Sequence, residues 1–380
     1  MTSSDHHLLK ATKEFMNFFK PSWGQRLLSW SAIATLIIFS TIWVYPDKAI
    51  AGLAQGDAIT DPYAILRYAL PIQNEEVRRL QGSLEAISLE IRRRRWNSAV
   101  KAAKAANLVV KYDDDKILQD IPAKCKSEAE TLLSELQEGL PQLIAATEKQ
   151  DKEVTTFLQG DLLDRVGQLE AMMVTGFPFE VPEDYANLPQ LKGRAKITIE
   201  TNKGQMEAIV DGYNAPVNAG NFVDLVDRGF YDGLEFFQTQ DYIVQIGDPP
   251  GEEAGFIDPT TGEYRAIPLE VKIAEEATPI YEFTLEALGL YLTPPVLPFN
   301  AYGAIALGHP ADDSNGGSSQ IFFFLYDSEL TPPGFNLLDG RYSVFGYVVK
   351  GKEVLEGLKA GDRIISATVT AGRENLQQPS

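Results

Sequence analysis

The chain has 380 residues, of which 44% are apolar, and a formal charge of −19. That length accommodates two ordinary domains and a leader. The excess of acid argues against nucleic acid as a partner, because a phosphate backbone needs Lys and Arg to neutralise it. Of the 53 acidic residues, 30 fall in 177–380, against 13 of the 34 basic ones. The second half therefore stays soluble by self-repulsion and disfavours acidic ligands. Cys125 is the only cysteine, so no internal disulfide forms. His6, His7 and His309 are the only histidines, and two of them lie near the start. That leaves at most one imidazole for a zinc site or a Ser-His-Asp triad and argues against most hydrolases.

In chain order, Lys10, Lys13, Lys20 and Arg26 precede an uncharged run from Leu27 to Tyr45, and Ala49-Ile50-Ala51 follows. A basic region, an apolar region and an Ala-x-Ala site predict a signal peptide over 1–51, cleaved near Ala51. The run is also long enough to span a bilayer, so an uncleaved anchor is the alternative. Either form places the rest of the chain across a membrane.

Residues 52–176 predict a helical bundle. Val77, Leu80, Leu84, Ile87 and Ile91 step by three and four along one stripe. Asn74, Glu75 and Glu76 suit its positive end. Small residues Ala99, Ala102, Ala103 and Ala106 continue on a second helix, and Leu132, Leu136 and Leu140, then Leu158, Leu162, Val166, Leu169 and Met173, mark two more. Pro141 predicts a stop or restart within the third. The stripe lasts barely two heptads, so an intramolecular bundle is favoured over a coiled-coil dimer. Its apolar face could alternatively cover a surface of the following domain. Arg92–Arg95 spreads around the helix and reads as a solvated face. Pro178, Pro182, Pro189 and Gly193 read as an extended linker over 177–195.

From 196 to 380 the pattern is β. Lys196–Glu200 and Gln205–Val210 alternate in period two around a turn at Asn202–Gly204, and Pro216–Arg228 predicts a helix with Val217, Phe222, Leu225 and Val226 on one face. Further apolar runs follow within Tyr242–Asp248, Asn300–Leu307, Ser318–Phe324 and Leu338–Gly346, punctuated by Gly-rich turns and Asp339-Gly340. Gln245 between Val244 and Ile246 is an amide in an apolar strand and needs partners if buried.

The blocks Asn221–Val226, Tyr231-Asp-Gly233, Tyr242–Asp248, Asn300–Leu307, Ser318–Phe324 and Leu338–Gly346 resemble the cyclophilin family of peptidyl-prolyl cis-trans isomerases, in order and rough spacing. The resemblance implies an α+β, multidomain chain: a helical bundle, then a closed antiparallel β-barrel with capping helices and a peptide groove on its outer wall. It places Tyr242, Ile243 and Gln245 at the start of the groove, Gly308 at the pocket floor and Phe322 as the aromatic wall, with Leu338 and Tyr342 completing the pocket. It implies neither cofactor nor metal. The chemistry is rotation about the bond before proline, across a barrier of roughly 18–20 kcal/mol, helped by a site that fits the twisted amide better than either planar form.

Two positions depart from the family pattern. Where active members carry an arginine that supports the prolyl nitrogen, the stretch Glu235–Thr239 offers Phe237 or Gln238; Gln238 would be a weak, uncharged replacement as catalytic residue. Leu337 stands where many relatives have tryptophan, which implies low cyclosporin affinity. The insert from Pro249 to Pro298 and the helical first half resemble the two-domain cyclophilins of the thylakoid lumen. That resemblance implies proline-containing clients, photosystem II subunits among them, near the thylakoid membrane. The expected function is binding and assembly assistance with weak or absent turnover; the alternative is an active isomerase of exported proteins.

Overall fold

The computed structural model describes residues 59–240, 242–251, 254–259, 261–326 and 336–379, the side chains of 238–240 excepted. The expected leader over 1–51 lies outside them. Among the described residues, no helix is long and apolar enough to cross a membrane.

The first half is helical: α1 (Pro62–Tyr68), α2 (Glu75–Arg92), α3 (Trp96–Tyr112), α4 (Lys126–Glu148) and α5 (Lys152–Met173). Local chemistry sets the starts. Asn74 Oδ1 accepts from Val77 N at 2.9 Å and Asp151 Oδ1 from Val154 N at 3.1 Å, each satisfying an amide the helix leaves unpaired. α2 packs on α3 and α5, α3 on α4, and α4 on α5, so the four long helices close a ring. The stripe Val77, Leu80, Leu84, Ile87 is wholly buried with Ala99, Ala103, Leu136, Leu140, Val166 and Leu169. It is used up inside the bundle, which removes it both as a dimer seam and as a cover for the next domain. Pro141 does not interrupt α4. It lies on the solvent side, as does Gln137 four residues earlier, so water can satisfy the carbonyl that loses its partner.

The second half is an eight-stranded antiparallel sheet: β1 (Arg194–Thr201), β2 (Gly204–Asp211), β3 (Phe237–Gln240), β4 (Ile243–Ile246), then, beyond the small hairpin β5 (Glu270–Val271) and β6 (Ile280–Tyr281), β7 (Ala304–Leu307), β8 (Ile321–Phe324), β9 (Val344–Lys350) and β10 (Ile364–Ala371). Their order is β10-β1-β2-β9-β7-β8-β4-β3. The expectation of a fully closed barrel is slightly too strong. The ladder ends at β3 and β10, and only a short bridge joins the seam, with Phe236 N on Asp362 O at 2.7 Å and Ile364 N on Leu234 O at 3.0 Å. Period-two alternation sorts the side chains. Ile197, Val210, Val244, Ile305, Phe323 and Phe345 fill the interior with Phe222 of α6 (Pro216–Asp227). Ala304, Ala306, Phe322, Phe324 and Tyr347 form a second apolar cluster on the outer face.

The insert is tied to this frame by a buried carboxylate. Ala215 caps α6 without a side-chain acceptor; Glu270 of β5 substitutes, its Oε2 accepting from Val217 N at 3.1 Å and Asn218 N at 2.9 Å. Burial pushes its pKa up, while these N–H bonds favour the charged form.

The two halves meet at the carboxyl end of α1. Ile65, Leu66 and Ala69 join the outer-face cluster of the barrel. The carbonyls that a helix end leaves free are taken one after another: Leu66 O by Arg194, Arg67 O by Arg78 at 2.7 Å, Tyr68 O by Arg78 at 3.4 Å, Ala69 O by Asn214 at 2.9 Å and Leu70 O by Arg78 at 2.8 Å. Arg78 also meets Glu170 of α5 at 3.1 Å. Burial opposes charge on both partners, pushing Glu170 up to about 7 and Arg78 down, and Glu170 Oε2 has no hydrogen-bond partner among the described residues.

Below pH 4.5, the ordinary glutamate value, this carboxyl is protonated whether or not the chain is folded. Between 4.5 and about 7 the unfolded chain ionises while the folded one holds its proton, so stability is expected to fall as pH rises through that window. Glu170→Gln should flatten the fall by on the order of 3 kcal/mol. Urea unfolding of both chains at pH 4.5, 6 and 8 checks this, and parallel slopes would remove Glu170 as the cause.

Candidate functional site

The site is built where β4, β7 and β8 lie side by side. β8 pairs Phe322 with Gln245 and Phe324 with Ile243 on one side, and Phe322 with Ala306 on the other. Gly308 follows β7, its N–H held by Gln320 O at 2.8 Å. Gln245 finds the partner its setting demands: its Nε2 donates to Gln320 Oε1 at 2.8 Å. Gln320 Nε2 in turn donates to Asp248 Oδ1 at 3.1 Å and Ala254 O at 3.0 Å, a relay that fixes both amides. A Cβ on Gly308 would lie 3.2 Å from Gln245 Nε2, so a small residue leaves the amide its room.

Phe322 is almost sealed, at 4% exposure. One face lies parallel to the Phe299 ring, with centroids 5.8 Å apart and planes at 2°. Tyr342 meets it edge-on at 5.2 Å and itself stacks on His309 at 4.5 Å. His309 is fixed in turn, with Nε2 3.0 Å from Arg341 O and Nδ1 2.8 Å from Pro310 O. Phe299 owes its position to Asp339, whose Oδ1 accepts from Phe299 N at 2.8 Å and whose Oδ2 accepts from Asn336 N at 3.0 Å. Burial raises the Asp339 pKa to about 6 despite these two bonds.

The structure thus brings together Gln245, Gly308, Phe322 and Tyr342. Tyr242 lies at the edge, its ring 6.1 Å from Phe324, and Ile243 and Leu338 are half-buried against the same apolar cluster. Leu337 is not drawn in and stands 60% exposed. Register places Phe237 opposite Gln245 and Gln238 opposite Val244; the Gln238 side chain lies outside the described residues. Phe299, His309 and Asp339 were not legible as site residues. Phe299 lies just beyond the insert and nothing in the motif blocks marks it, although the apolar residues Val296 to Phe299 leading into a strand were a signal of packing. No described residue of this cluster presents a cation to Gln245: Arg341 turns its guanidinium to Glu286, at 2.7 Å.

An outer-wall site of paired amides and stacked rings, on an eight-stranded sheet with a helix across its end, defines a class. Residues 196–373 match the cyclophilin-type peptidyl-prolyl cis-trans isomerase family, and the chain belongs to it. Residues 61–174 match the PsbQ-like domain of CYP38-like peptidyl-prolyl cis-trans isomerases, which makes the bundle a family feature as well. The chain is 58% identical over 350 residues to the Synechocystis sp. protein sll0408, a candidate thylakoid lumen peptidyl-prolyl cis-trans isomerase, covering 90% of this chain and 92% of that one. It is 42% identical over 348 residues to the chloroplastic isomerase CYP38 of Arabidopsis thaliana, covering 89% and 79%. A solved cyclophilin of Cryptosporidium parvum, in the presence of the dipeptide Ala-Pro, aligns over 46% of this chain and 99% of its own at 20% identity, with a TM-score of 0.34.

Phe299→Ala should cost about 3–5 kcal/mol, because a cavity would open against Phe322 where two rings now stack. Thermal and urea unfolding measure it; a loss below about 1 kcal/mol would mean that the neighbouring side chains collapse into the space.

Proposed function

We propose that this protein binds proline-containing segments of exported proteins at the Gln245–Phe322 site and turns them over slowly or not at all. The observation that carries this reading is the retained amide and aromatic wall without a cation opposite Gln245. Rotation needs a donor at the prolyl nitrogen in the transition state, and removing one such electrostatic donor costs about 2.7–4 kcal/mol in comparable sites. Phe237, or Gln238 beside it, supplies no charge there. The relatives named for the thylakoid lumen and the chloroplast support a place in the thylakoid lumen or periplasm, beyond a membrane crossed by way of the leader. The likeness of the whole chain to this group supports proline-containing subunits of photosystem II as clients, met near the thylakoid membrane during their folding and assembly. Leu337, exposed and aliphatic, supports low affinity for cyclosporin.

The second reading, an active isomerase, is favoured by the retention of Gln245, Gly308 and Phe322 together. A protease-coupled assay on a proline tetrapeptide separates the two. The native chain is expected to accelerate cis-to-trans conversion little above background, and Phe237→Arg to raise the rate about 10²-fold. Native acceleration equal to that of an ordinary cyclophilin would establish the second reading instead.

A further inference from the structure

Beyond the site, one surface of the insert is built in a way that stability alone does not require. Phe283, Leu288, Tyr291 and Leu292 are 55%, 45%, 68% and 61% exposed, within ten residues of sequence, on the half of the chain that carries most of the negative charge. The backbone beneath them is firmly held. Leu285 is buried with Leu269, Val271 and Ile273 in a small core of its own, and its N–H donates to Gly340 O at 3.1 Å. Glu282, the residue before Phe283, has φ +69°, a left-handed conformation that side chains other than glycine rarely adopt. Its N–H donates to Leu269 O at 2.9 Å, its carbonyl accepts from Asn315 Nδ2 at 3.2 Å, and its Oε1 accepts from Tyr185 OH at 2.9 Å. Large apolar side chains held outward on a fixed and locally strained backbone are positioned, not merely left over.

The loop that carries them is tied to the turn beside the proposed site. Leu285 is bonded to Gly340, and Glu286 pairs with Arg341, so the loop grips the turn that carries Leu338 on one side and Tyr342 on the other. Exposed Leu337 belongs to the same turn. We infer that the Phe283–Leu292 surface extends the proline site and binds apolar residues flanking the proline of the client, so that the protein selects apolar segments over polar ones. This rests on the proposed function of the site. A second copy of the chain is the poorer occupant, because two bodies of charge −19 repel each other.

The test uses the full chain and three labelled peptides, followed by fluorescence anisotropy: a short Ala-Ala-Pro-Ala, and two longer peptides with the same centre, flanked on both sides by Leu and Phe or by Ser and Gln. The apolar-flanked peptide is expected to bind about tenfold tighter than the polar-flanked one. The combined substitution Phe283→Ser, Tyr291→Ser, Leu292→Ser should abolish that advantage and leave the short peptide unaffected; unchanged thermal unfolding would show that this variant is folded. Equal affinity of the two long peptides for the native chain, or an advantage that survives the substitutions, would overturn the inference while leaving the proline site intact. Sedimentation showing a native dimer that the same substitutions dissolve would overturn it in favour of self-association. Binding of none of the three peptides would instead end the reading of the site itself, and this extension with it.

Discussion

Five consecutive carbonyls at the end of a seven-residue helix hold this molecule's two halves in register. A helix so short has no stability of its own, and although Arg67 O and Leu70 O also accept from Leu70 N and Ile72 N, Leu66 O, Tyr68 O and Ala69 O depend on side-chain donors. Arg78 from the bundle and Arg194 and Asn214 from the barrel supply those donors. Two of the three are cations at the negative end of a helix, where charge of that sign is favoured. Neither domain alone could satisfy the set. The bundle needs the barrel to complete α1, and the outer face of the barrel needs Ile65, Leu66 and Ala69 to complete its second cluster.

That second cluster explains why the site has its character. Alternation along β8 sends Phe323 into the barrel and Phe322 and Phe324 out of it. On a bare sheet the outer rings would face water. Here Phe299, fixed by Asp339, lies flat on one of them, and α1 seals the far side of the same cluster. The wall of the proposed site is therefore made of side chains that also belong to a core. What such a wall provides is shape; what it lacks opposite Gln245 is charge.

Much of this was readable from residue order. The 3.6-residue stripe of α2, the period-two strands and the turn chemistry before Gly204 and at Asp339-Gly340 depend on contacts close in sequence, and residue order alone predicts them. That Gln245 would need a partner followed from its apolar neighbours; that the partner is Gln320 did not. Other features could not be read locally. Whether the α2 stripe faced the bundle or the barrel depended on which surface lay nearest, and α1, too short to give a periodic signal, proved to be the real link. Pro141 predicts a stop or restart, but tertiary packing of Leu136, Leu140 and Leu143 outweighs one lost bond on a hydrated face. Phe299 and His309 enter the site through loops, whose course no periodicity encodes. Phe237 and Gln238 could not be told apart locally, because one residue of slip in strand register exchanges the two faces.

The clasp at α1 has a mechanical corollary. The only covalent tie between bundle and barrel is the proline-rich stretch from Val174 to Pro189, yet the grip on α1 does not pass through it. Were that stretch severed by a protease, the fragments would remain together, since α1 sits upstream of the cut and its donors lie on both sides. The connecting peptide supplies continuity of the chain, and the contacts at α1 supply the alignment of the two halves.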